Sequence, residues 1–290
     1  MTATDPQRSL SVLDVLAFKD GAVLSPEGAL MNRFKSSNKY SYVFILFCVT
    51  HLPGCTSTAI ADSQTGDAQW VPTVANPEFS QGEGPLVLVD AGHGNFHTID
   101  GRYSAFADLL KLDGYRVQSA ETTVTSELLE QASVFVISNA ISGGGDAEWA
   151  LPTPAAFTRD EIAVIAEWVD NGGSLLLIAD HMPFPGATAS LADEFGFFFL
   201  NGFAMKSAKE GGVLSFTRSS GSLADHAITR GRTETESIEL LTTFTGQAFR
   251  FSTEVQPLMY MPEDWEVLLP KEAWEFNEST PKVSASGLIQ

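Results

Sequence analysis

Residues 85–90 read PLVLVD, and two similar runs follow, SVFVIS at 133–138 and SLLLIAD at 174–180. Each run is continuously apolar, has the length of a strand and ends in a polar residue, which is typical of a strand buried on both faces. Segments with helical periodicity separate the runs, at 102–112 and after Thr158. Because strands alternate with helices, the sequence predicts an α/β domain with a mainly parallel sheet covered on both faces.

The boundaries of the elements are also marked in the sequence. Thr158 and Glu161 have the spacing of a capping box at the start of a helix, and Gly172 and Gly173 end that helix. The regular alternation ends near Gly202, and only strands are predicted beyond it. Further helices are predicted at 126–131 and 188–195, and further strands at 115–118, 196–200, 213–218, 238–243 and 257–261.

The composition indicates a folded, acidic protein. The 290 residues are 44% hydrophobic, which is enough for a substantial core. The net charge is −19, and this charge excludes electrostatic binding to a nucleic-acid backbone or to an anionic membrane. Cys48 and Cys55 are the only cysteines, so the chain beyond them has no disulfide, no thiolate nucleophile and no cysteine-bearing metal site.

Residues 31–55 have the features of a lipoprotein signal peptide. Three basic residues precede a short apolar run at 42–49, which is too short to span a bilayer as a helix. The sequence LPGC at 52–55 then resembles a lipobox, in which the cysteine receives the lipid. We therefore predict lipidation at Cys55. The protein is expected in the cell envelope, facing the periplasm or the exterior, and it should contact the membrane only through this lipid anchor.

This signal divides the chain into four segments. Met31 is the expected physiological start, so residues 1–30 are expected to be an upstream extension. Residues 56–84 are polar and poor in periodicity, which predicts a flexible tether between the signal and the domain. The folded domain is predicted to occupy residues 85–290.

Polar residues follow the three long strands, and ligands bind at the carboxyl ends of strands in open parallel sheets. The first strand leads into a loop with His93 and His97. The second strand ends at Asn139, and the third ends in Asp180 and His181. We predict that these loops open into one crevice that forms the functional site. The predicted catalytic residues are His93, His97, Asp180 and His181, and the predicted substrate-binding residues are Asp90, Gly92, Gly94, Asn95, Asn139 and Phe184.

The chemistry of these side chains leaves three alternatives open. His93, His97 and His181 could hold a divalent metal such as zinc, although neither loop has the spacing of a specific zinc motif. The histidines could instead act as general bases, oriented by the carboxylates of Asp90 and Asp180. The third alternative is structural, with the carboxylates capping helices and the imidazoles bonded to loop backbone.

Other candidate motifs are weaker. The chain has no G-x-S-x-G nucleophile elbow. Ser222, Asp225 and His226 suggest a hydrolase, but Ser222 follows no buried strand, so a surface turn is favoured. The run Gly143-Gly144-Gly145 lacks a following GK[ST], so it is interpreted as a loop hinge and not as a phosphate site.

Three segments carry a family resemblance: VDAGHGNFHTIDGRY at 89–103, DNGGSLLLIADHMPFPG at 170–186 and FLNGFA at 199–204. Together they resemble a bacterial family of unknown function in the class I glutamine amidotransferase-like superfamily, related to trehalose-utilisation-like proteins. The resemblance covers roughly residues 85–290 and implies a Rossmann-like, flavodoxin-type three-layer α/β sandwich. The amidotransferase nucleophile is a cysteine, and the corresponding strand end here, at 180–182, reads DHM, so the glutaminase mechanism is excluded.

These features favour an exported hydrolase of ester or amide bonds that acts through the histidine and aspartate side chains at the strand ends. The alternative is a non-catalytic lipoprotein that binds a carbohydrate or a peptide, with Trp149, Phe184 and the glycine-rich loop as the walls of the crevice. The proteins that this chain resembles also continue past a GxxQ segment. Residues 287–290 form such a segment here, so a C-terminal truncation is expected.

Overall fold

The computed structural model describes residues 71–143, 149–206, 213–252 and 254–290. Its centre is a four-stranded sheet, whose strands run parallel in the order β2-β1-β3-β4. The predicted α/β domain with a parallel sheet is therefore confirmed at this level. The four strands are β1 (Leu86–Asp90), β2 (Arg116–Ala120), β3 (Val134–Ser138) and β4 (Ser174–Ile178).

Helices cover both faces of this sheet. On one face, Leu110 of α1 (Ser104–Leu112) packs with Val87 and Val89 of β1. On the other face, the short helix α2 (Ser126–Leu129) and the helix α3 (Arg159–Asp170) pack on the alternate side chains of β1 and β3. Strands β1 and β3 lie in the middle and are fully buried, which explains their continuous apolar runs.

The capping box that begins α3 is confirmed. The backbone N–H of Glu161 donates to Thr158 Oγ1 at 3.2 Å, and the backbone N–H of Thr158 donates to Glu161 Oε2 at 2.9 Å. After β4, the helix α4 (Phe184–Glu194) begins four residues earlier than its predicted start and contributes Leu191 to the same core as α3. Glu161 in the first turn of α3 contacts His93, which follows β1, and α4 begins shortly after β4. Both helices therefore begin close to the carboxyl ends of the parallel strands.

The second half of the chain consists of short antiparallel sheets around a separate core. The three sheets pair β6 and β11 with β10, β5 with β9, and β7 with β8. Their core contains Phe203, Phe216, Met259, Trp265 and Val267. The elements are β5 (Phe197–Phe199), β6 (Phe203–Met205), β7 (Val213–Thr217), α5 (Ala227–Arg230), a 3-10 turn (Glu234–Glu236), β8 (Leu240–Phe244), β9 (Phe249–Phe251), β10 (Glu266–Leu268) and β11 (Lys282–Ser284).

Two predicted strands differ from the structure. The strand at 196–200 exists as β5, but it pairs antiparallel with β9 instead of extending the parallel sheet. Aromatic contacts explain this pairing, because Phe249 of β9 packs edge-on to Phe197 and also contacts Phe199. The segment 257–261 forms only isolated bridges. It begins with Pro257 and is followed by Pro262, and proline lacks the N–H that a ladder requires.

Part of the predicted tether packs on the domain. The ring of Phe79 meets Tyr115 edge-on at 5.2 Å, and the backbone N–H of Glu78 donates to the Asp113 carboxylate at 2.9 Å. Gly114 has a φ of 95°, and a Cβ there would lie 2.2 Å from the Phe79 carbonyl oxygen. The domain therefore begins several residues before 85, and glycine is required where this segment crosses the end of α1.

The predicted upstream extension, the signal segment with Cys55 and the start of the tether lie outside the described residues. Within the described part of the chain, no helix has the length and apolar character needed to cross a bilayer.

Candidate functional site

The candidate site lies at the carboxyl ends of β1, β3 and β4. Asp90 is the last residue of β1 and is fully buried, and Ser138 is the last residue of β3 and is equally buried. Asp180 and His181 follow β4 after one intervening residue, Ala179. The parallel sheet thus brings the predicted polar residues to one edge. Their side chains form two groups, which Asn95 links by donating to Asp90 Oδ2 and to the Ser138 carbonyl oxygen.

His93 bridges two buried carboxylates in the first group. Its Nδ1 atom lies 2.8 Å from Asp90 Oδ1, and its Nε2 atom lies 2.9 Å from Glu161 Oε1. The imidazole ring packs against Phe157 with the ring centroids 4.1 Å apart. Because ionised carboxylates only accept hydrogen bonds, both ring nitrogens donate.

The electrostatics of this bridge agree with its geometry. Burial lowers the pKa of His93, but the hydrogen bonds and charges of Asp90 and Glu161 raise it above its ordinary value overall. Burial raises the pKa of Glu161, but hydrogen bonds from Thr158 and His93 lower it to about 2. The raised pKa and the two carboxylate partners favour the imidazolium form of His93. In this arrangement both ring nitrogens are engaged by carboxylates, which supports a structural role, and the predicted catalytic role of His93 stays a prediction.

His97 belongs to the second group and is neutral. Its Nδ1 atom lies 2.9 Å from Ser138 Oγ, and its ring stacks on Tyr103 with centroids 4.5 Å apart. Burial, followed by the charges of Arg102 and His181, lowers the pKa of His97 to about 4. One ring nitrogen therefore carries a proton at neutral pH and the other offers a lone pair.

His181 has a defined tautomer. Its Nδ1 atom lies 2.7 Å from the carbonyl oxygen of Met182, which can only accept, so Nδ1 carries the proton and Nε2 holds the lone pair. Burial lowers the pKa of His181 to about 4, although the hydrogen bond to Met182 raises it. The neutral ring stacks on Phe203 with centroids 4.5 Å apart.

Asp180 is the group at this edge whose pKa lies near neutrality. Burial raises its pKa to about 7, although a backbone hydrogen bond from His181 lowers it. Its Oδ2 atom lies 3.7 Å from His181 Nε2, and its Oδ1 atom is buried with no hydrogen-bond partner among the described residues. A carboxyl group in this state exchanges its proton at physiological pH.

Two buried amides flank Asp180. Asn139 Oδ1 accepts from the backbone N–H of Asp180 at 2.8 Å, and Gln247 Nε2 donates to the carbonyl oxygen of Ala179 at 2.9 Å. These bonds fix which end of each amide is oxygen. They leave a donor, Asn139 Nδ2, and an acceptor, Gln247 Oε1, both buried and without a partner in the described structure. Each amide therefore fixes the backbone beside Asp180 with one of its polar atoms, and its other polar atom can form a hydrogen bond to a bound molecule.

Aromatic rings enclose His181. The ring centroids of Trp149 and Phe184 lie 6.2 and 6.0 Å from that of His181, and Trp274 meets it edge-on at 4.6 Å. Trp274 is 43% exposed and has a φ of 70°. A bulky residue rarely adopts this conformation, and strain of this kind clusters at sites that bind or react.

His97 and His181 belong to the same group. Phe96 contacts the ring of His97 at 5.8 Å and that of Phe184 at 5.5 Å, and Phe184 also contacts His181. Repulsion from the protonated form of His181 is also one of the causes that lower the pKa of His97. Shared aromatic neighbours thus relate His97 to His181, whereas the ring nitrogens of His93 face Asp90 and Glu161.

The predicted substrate-binding residues divide in the same way. Asn95 accepts from the backbone N–H of His93 at 3.0 Å and donates to Asp90 Oδ2 at 2.9 Å, so Asn95 and Asp90 order the structural loop. Gly92 and Gly94 form the turn of this loop, and a Cβ at Gly92 would lie 2.7 Å from the Thr122 carbonyl oxygen. The remaining two predicted residues, Asn139 and Phe184, lie beside Asp180 and His181.

The described residues contain no group of three or more histidine, cysteine, aspartate or glutamate side chains that could hold a metal ion. The earlier alternative of a zinc site formed by three histidines therefore lacks its ligands, since His93 is occupied by carboxylates. The surface turn expected around Ser222 is present, because its hydroxyl bonds to Ser220 and to the backbone of Thr217.

Four residues of this site were not predicted from the sequence. Glu161 was recognised only as a capping residue, because its contact with His93 spans 68 positions. The sequence around the other three residues does not indicate that they lie near the carboxyl ends of the parallel strands. These residues are Gln247, Trp274 and Arg102. Arg102 does belong to the resemblance segment at 89–103, which was the only available signal.

Comparisons with known proteins give little further information. No family model matches the chain, and no curated protein matches it. Among solved structures, the chain is similar to one described as "mmIFT52 N-terminal domain", with 15% sequence identity and a TM-score of 0.47. The match covers 69% of this chain and 86% of that one. A similarity at this level supports no argument about function.

Proposed function

We propose that the protein is an exported hydrolase of ester or amide bonds built on a Rossmann-like, flavodoxin-type three-layer α/β sandwich. The strand order β2-β1-β3-β4 and the helices on both faces support this fold type. In such a fold, ligands bind beside the strands at which the connection changes direction, here β1 and β3. The group around His97, Asn139 and Asp180 lies at that place.

The state of Asp180 is the observation that carries the proposal. A general base works best when its pKa lies near the working pH, and burial raises the pKa of Asp180 to about 7. Desolvation of a carboxyl group costs free energy, so a fold retains such a group where it has a task. The unpartnered Oδ1 atom leaves the group able to bond to a substrate or a water molecule.

In the proposed reaction, Asp180 activates water. A water molecule placed against Asp180 Oδ2 and His181 Nε2, which are 3.7 Å apart, can donate one hydrogen bond to each. As the water oxygen attacks the carbonyl carbon of the substrate, its proton passes to the Asp180 carboxylate. Asp180 then gives this proton to the leaving oxygen or nitrogen when the tetrahedral intermediate breaks down. His181 remains neutral and orients the water.

The hydrolase needs a donor for the negative charge that develops on the carbonyl oxygen, and His97 supplies it. Ser138 can donate its hydroxyl proton to His97 Nδ1, across a separation of 2.9 Å, which leaves the proton of the neutral ring on Nε2. A fixed donor of this kind stabilises an oxyanion more than water does. The donor group of Asn139 is available for the same purpose.

We propose further that the chain belongs to the class I glutamine amidotransferase-like superfamily but lacks its nucleophilic cysteine. The resemblance segments at 89–103 and 170–186 support this assignment because they form the loops after β1 and β4. The chain contains no cysteine beyond Cys55, which agrees with activation of water in place of a thiolate.

A test of hydrolysis uses p-nitrophenyl acetate and acetyl p-nitroanilide with the purified full chain. If Asp180 must be deprotonated, kcat/KM falls about tenfold per pH unit below its pKa of about 7 and is constant above it. His181→Gln should lower kcat/KM by about 10²–10⁴-fold, whereas His226→Gln, a change beside the exposed Gln256, should not. Full activity in EDTA supports a reaction that uses water without a metal. A pH profile without a transition near 7 contradicts the role of Asp180.

Export is tested separately by following the lipid. A chain that begins at Met31 should be found in the membrane fraction and should incorporate labelled palmitate when it is expressed in bacteria. Cys55→Ser should abolish both properties, because it removes the thiol that receives the lipid, whereas Cys48→Ser, a change within the apolar run, should leave both intact. A soluble protein of uncleaved mass would contradict export as a lipoprotein.

A binding protein without catalysis remains the second candidate. The rings of Trp149, Phe184 and Trp274 around His181 favour it, because aromatic faces bind the apolar face of a sugar or a peptide side chain. Saturable quenching of tryptophan fluorescence by an oligosaccharide or peptide, with no turnover of either chromogenic substrate, would support this function over hydrolysis.

A further inference from the structure

Arg102 lies beside the candidate site. Its guanidinium carbon is 3.7 Å from the centroid of the Phe96 ring, and its Nη1 group donates to the Phe96 carbonyl oxygen at 3.1 Å. Phe96 also contacts Phe184 and Trp149, which both border His181. The guanidinium is therefore close to the proposed reacting groups, and its charge is one of the causes that lower the pKa of His97.

This arginine has no acidic partner, unlike others in the chain. Arg218 pairs with Asp225, and Arg232 pairs with Asp113, in each case within 3.2 Å. Arg102 forms no ion pair with any described residue, and its Nε atom is buried without a hydrogen-bond partner. Burial lowers the pKa of Arg102, and no carboxylate offsets that effect.

The residue is half-buried, but its Nε–H donor is buried without an acceptor among the described residues, and a buried donor without a partner costs free energy that an anion bound there would recover. The N–H groups of Nε and Nη2 lie side by side on one edge of the planar guanidinium. Their spacing matches that of the two oxygens of a carboxylate, so the pair can bind a carboxylate with two parallel hydrogen bonds. The net charge of −19 disfavours multiply charged anions, so a group with a single negative charge is the better fit.

We propose that Arg102 binds a carboxylate of the substrate, so that the preferred substrates are esters or amides that carry a free carboxylate a few bonds from the bond to be cleaved. This inference rests on the proposed hydrolase function and names its substrate class. Arg102 selects the substrate and takes no part in the proton transfers.

The experiment compares two p-nitrophenyl esters of similar length, mono-p-nitrophenyl succinate and p-nitrophenyl butyrate. With the full chain, kcat/KM for the succinate ester should exceed that for the butyrate ester by about 10–100-fold, as expected for a charge-assisted hydrogen bond. Arg102→Gln should abolish the preference for the succinate ester. Arg102→Lys should retain part of this preference, because lysine keeps the positive charge but cannot form two parallel hydrogen bonds to a carboxylate. Arg116→Gln is the matched control, since the Arg116 guanidinium donates to the Gly84 carbonyl oxygen at the start of β2, away from the candidate site.

The outcomes separate the two proposals. Equal rates on both esters, or a ratio that Arg102→Gln leaves unchanged, overturn the carboxylate site and leave the hydrolase intact. If neither ester is cleaved, the hydrolase proposal fails, and calorimetric titration with succinate, succinamide and inorganic phosphate then decides on the carboxylate site alone. Binding of succinate in preference to the other two, lost in Arg102→Gln, supports the site. Equal or stronger binding of phosphate, or no binding of succinate, contradicts it.

Discussion

Replacing His93 by alanine should lower the free energy of unfolding by about 3–5 kcal/mol, because it leaves two buried carboxylates facing each other without the cation between them. Asp90 is fully buried and Glu161 is 6% exposed, so water cannot replace the lost donors. Small domains are stable by only about 5–15 kcal/mol, and this loss therefore removes a large part of the total. Urea unfolding followed by circular dichroism measures the effect.

The pH dependence of this loss identifies its electrostatic origin. The folded pKa of His93 is raised above 6.5, so its stabilising contribution is complete below about pH 6.5 and decreases as the pH rises through the folded value. The folded pKa of Glu161 is about 2, lowered from 4.5, so its contribution is complete above 4.5 and is lost as the pH falls towards 2. The cost of His93→Ala should therefore be largest between about pH 4.5 and 6.5.

His226→Ala serves as the control, since His226 caps the four-residue helix α5 and bonds to the exposed Gln256. Its loss should cost only about 1 kcal/mol, the value typical of a cap. A His93→Ala cost below that of the control, or an equal cost at pH 5.5 and pH 9, would show that His93 is not a buried imidazolium.

The central strands could be predicted because burial on both faces requires apolar side chains at every position. The run at 85–90 shows this requirement directly, and β1 is buried at each of its residues. The capping box at Thr158 was equally predictable, since both partners lie within four residues. Contacts between residues close in sequence leave a signature in the sequence itself.

The division of the histidines into two groups could not be predicted. His93 and His97 are four residues apart on one loop and have similar neighbours in sequence, yet their environments are opposite. His93 meets Glu161 from α3, whereas His97 meets Ser138 from β3. These partners are 68 and 41 positions away, and only the packing of the elements decides which carboxylate or hydroxyl reaches which ring.

The short strands in the second half of the chain were harder to predict, because their pairing also depends on residues that are distant in sequence. Strands β5 and β9 have three residues each, which is too few to establish a period of two. Their pairing depends on the aromatic contacts made by Phe249, and this residue is 50 positions from Phe199. Gln247, which lies just before β9, reaches Ala179 through the same pairing and therefore escaped prediction.

Replacing Asp180 by asparagine should abolish hydrolysis and at the same time stabilise the protein at alkaline pH. The substitution removes the group that takes and returns the proton, so kcat/KM for p-nitrophenyl acetate should fall by about 10²–10⁴-fold. Stability should change in the opposite direction. Burial raises the pKa of Asp180 from 3.8 to about 7, which means that the folded protein disfavours the charged form.

The sign of the stability change depends on pH in a defined way. Below about pH 4 the carboxyl group is protonated in both states, so Asp180→Asn should leave the free energy of unfolding almost unchanged. Between pH 4 and 7 the unfolded chain loses the proton first, and the charged group increasingly destabilises the folded state. At pH 8 the variant should therefore be more stable than the parent by on the order of 2–4 kcal/mol.

Unfolding in urea at pH 4 and pH 8, combined with the ester assay, tests this pair of effects. Asp193→Asn is the matched control, because Asp193 is an exposed aspartate on α4 and should change neither stability nor activity. A loss of stability in Asp180→Asn at both pH values would mean that the carboxylate is charged and needed for the fold. A gain at pH 8 together with full hydrolytic activity would remove Asp180 from the mechanism but would still support its raised pKa. Only a gain in stability at pH 8 together with a loss of hydrolysis identifies Asp180 as a group held at an energetic cost for catalysis.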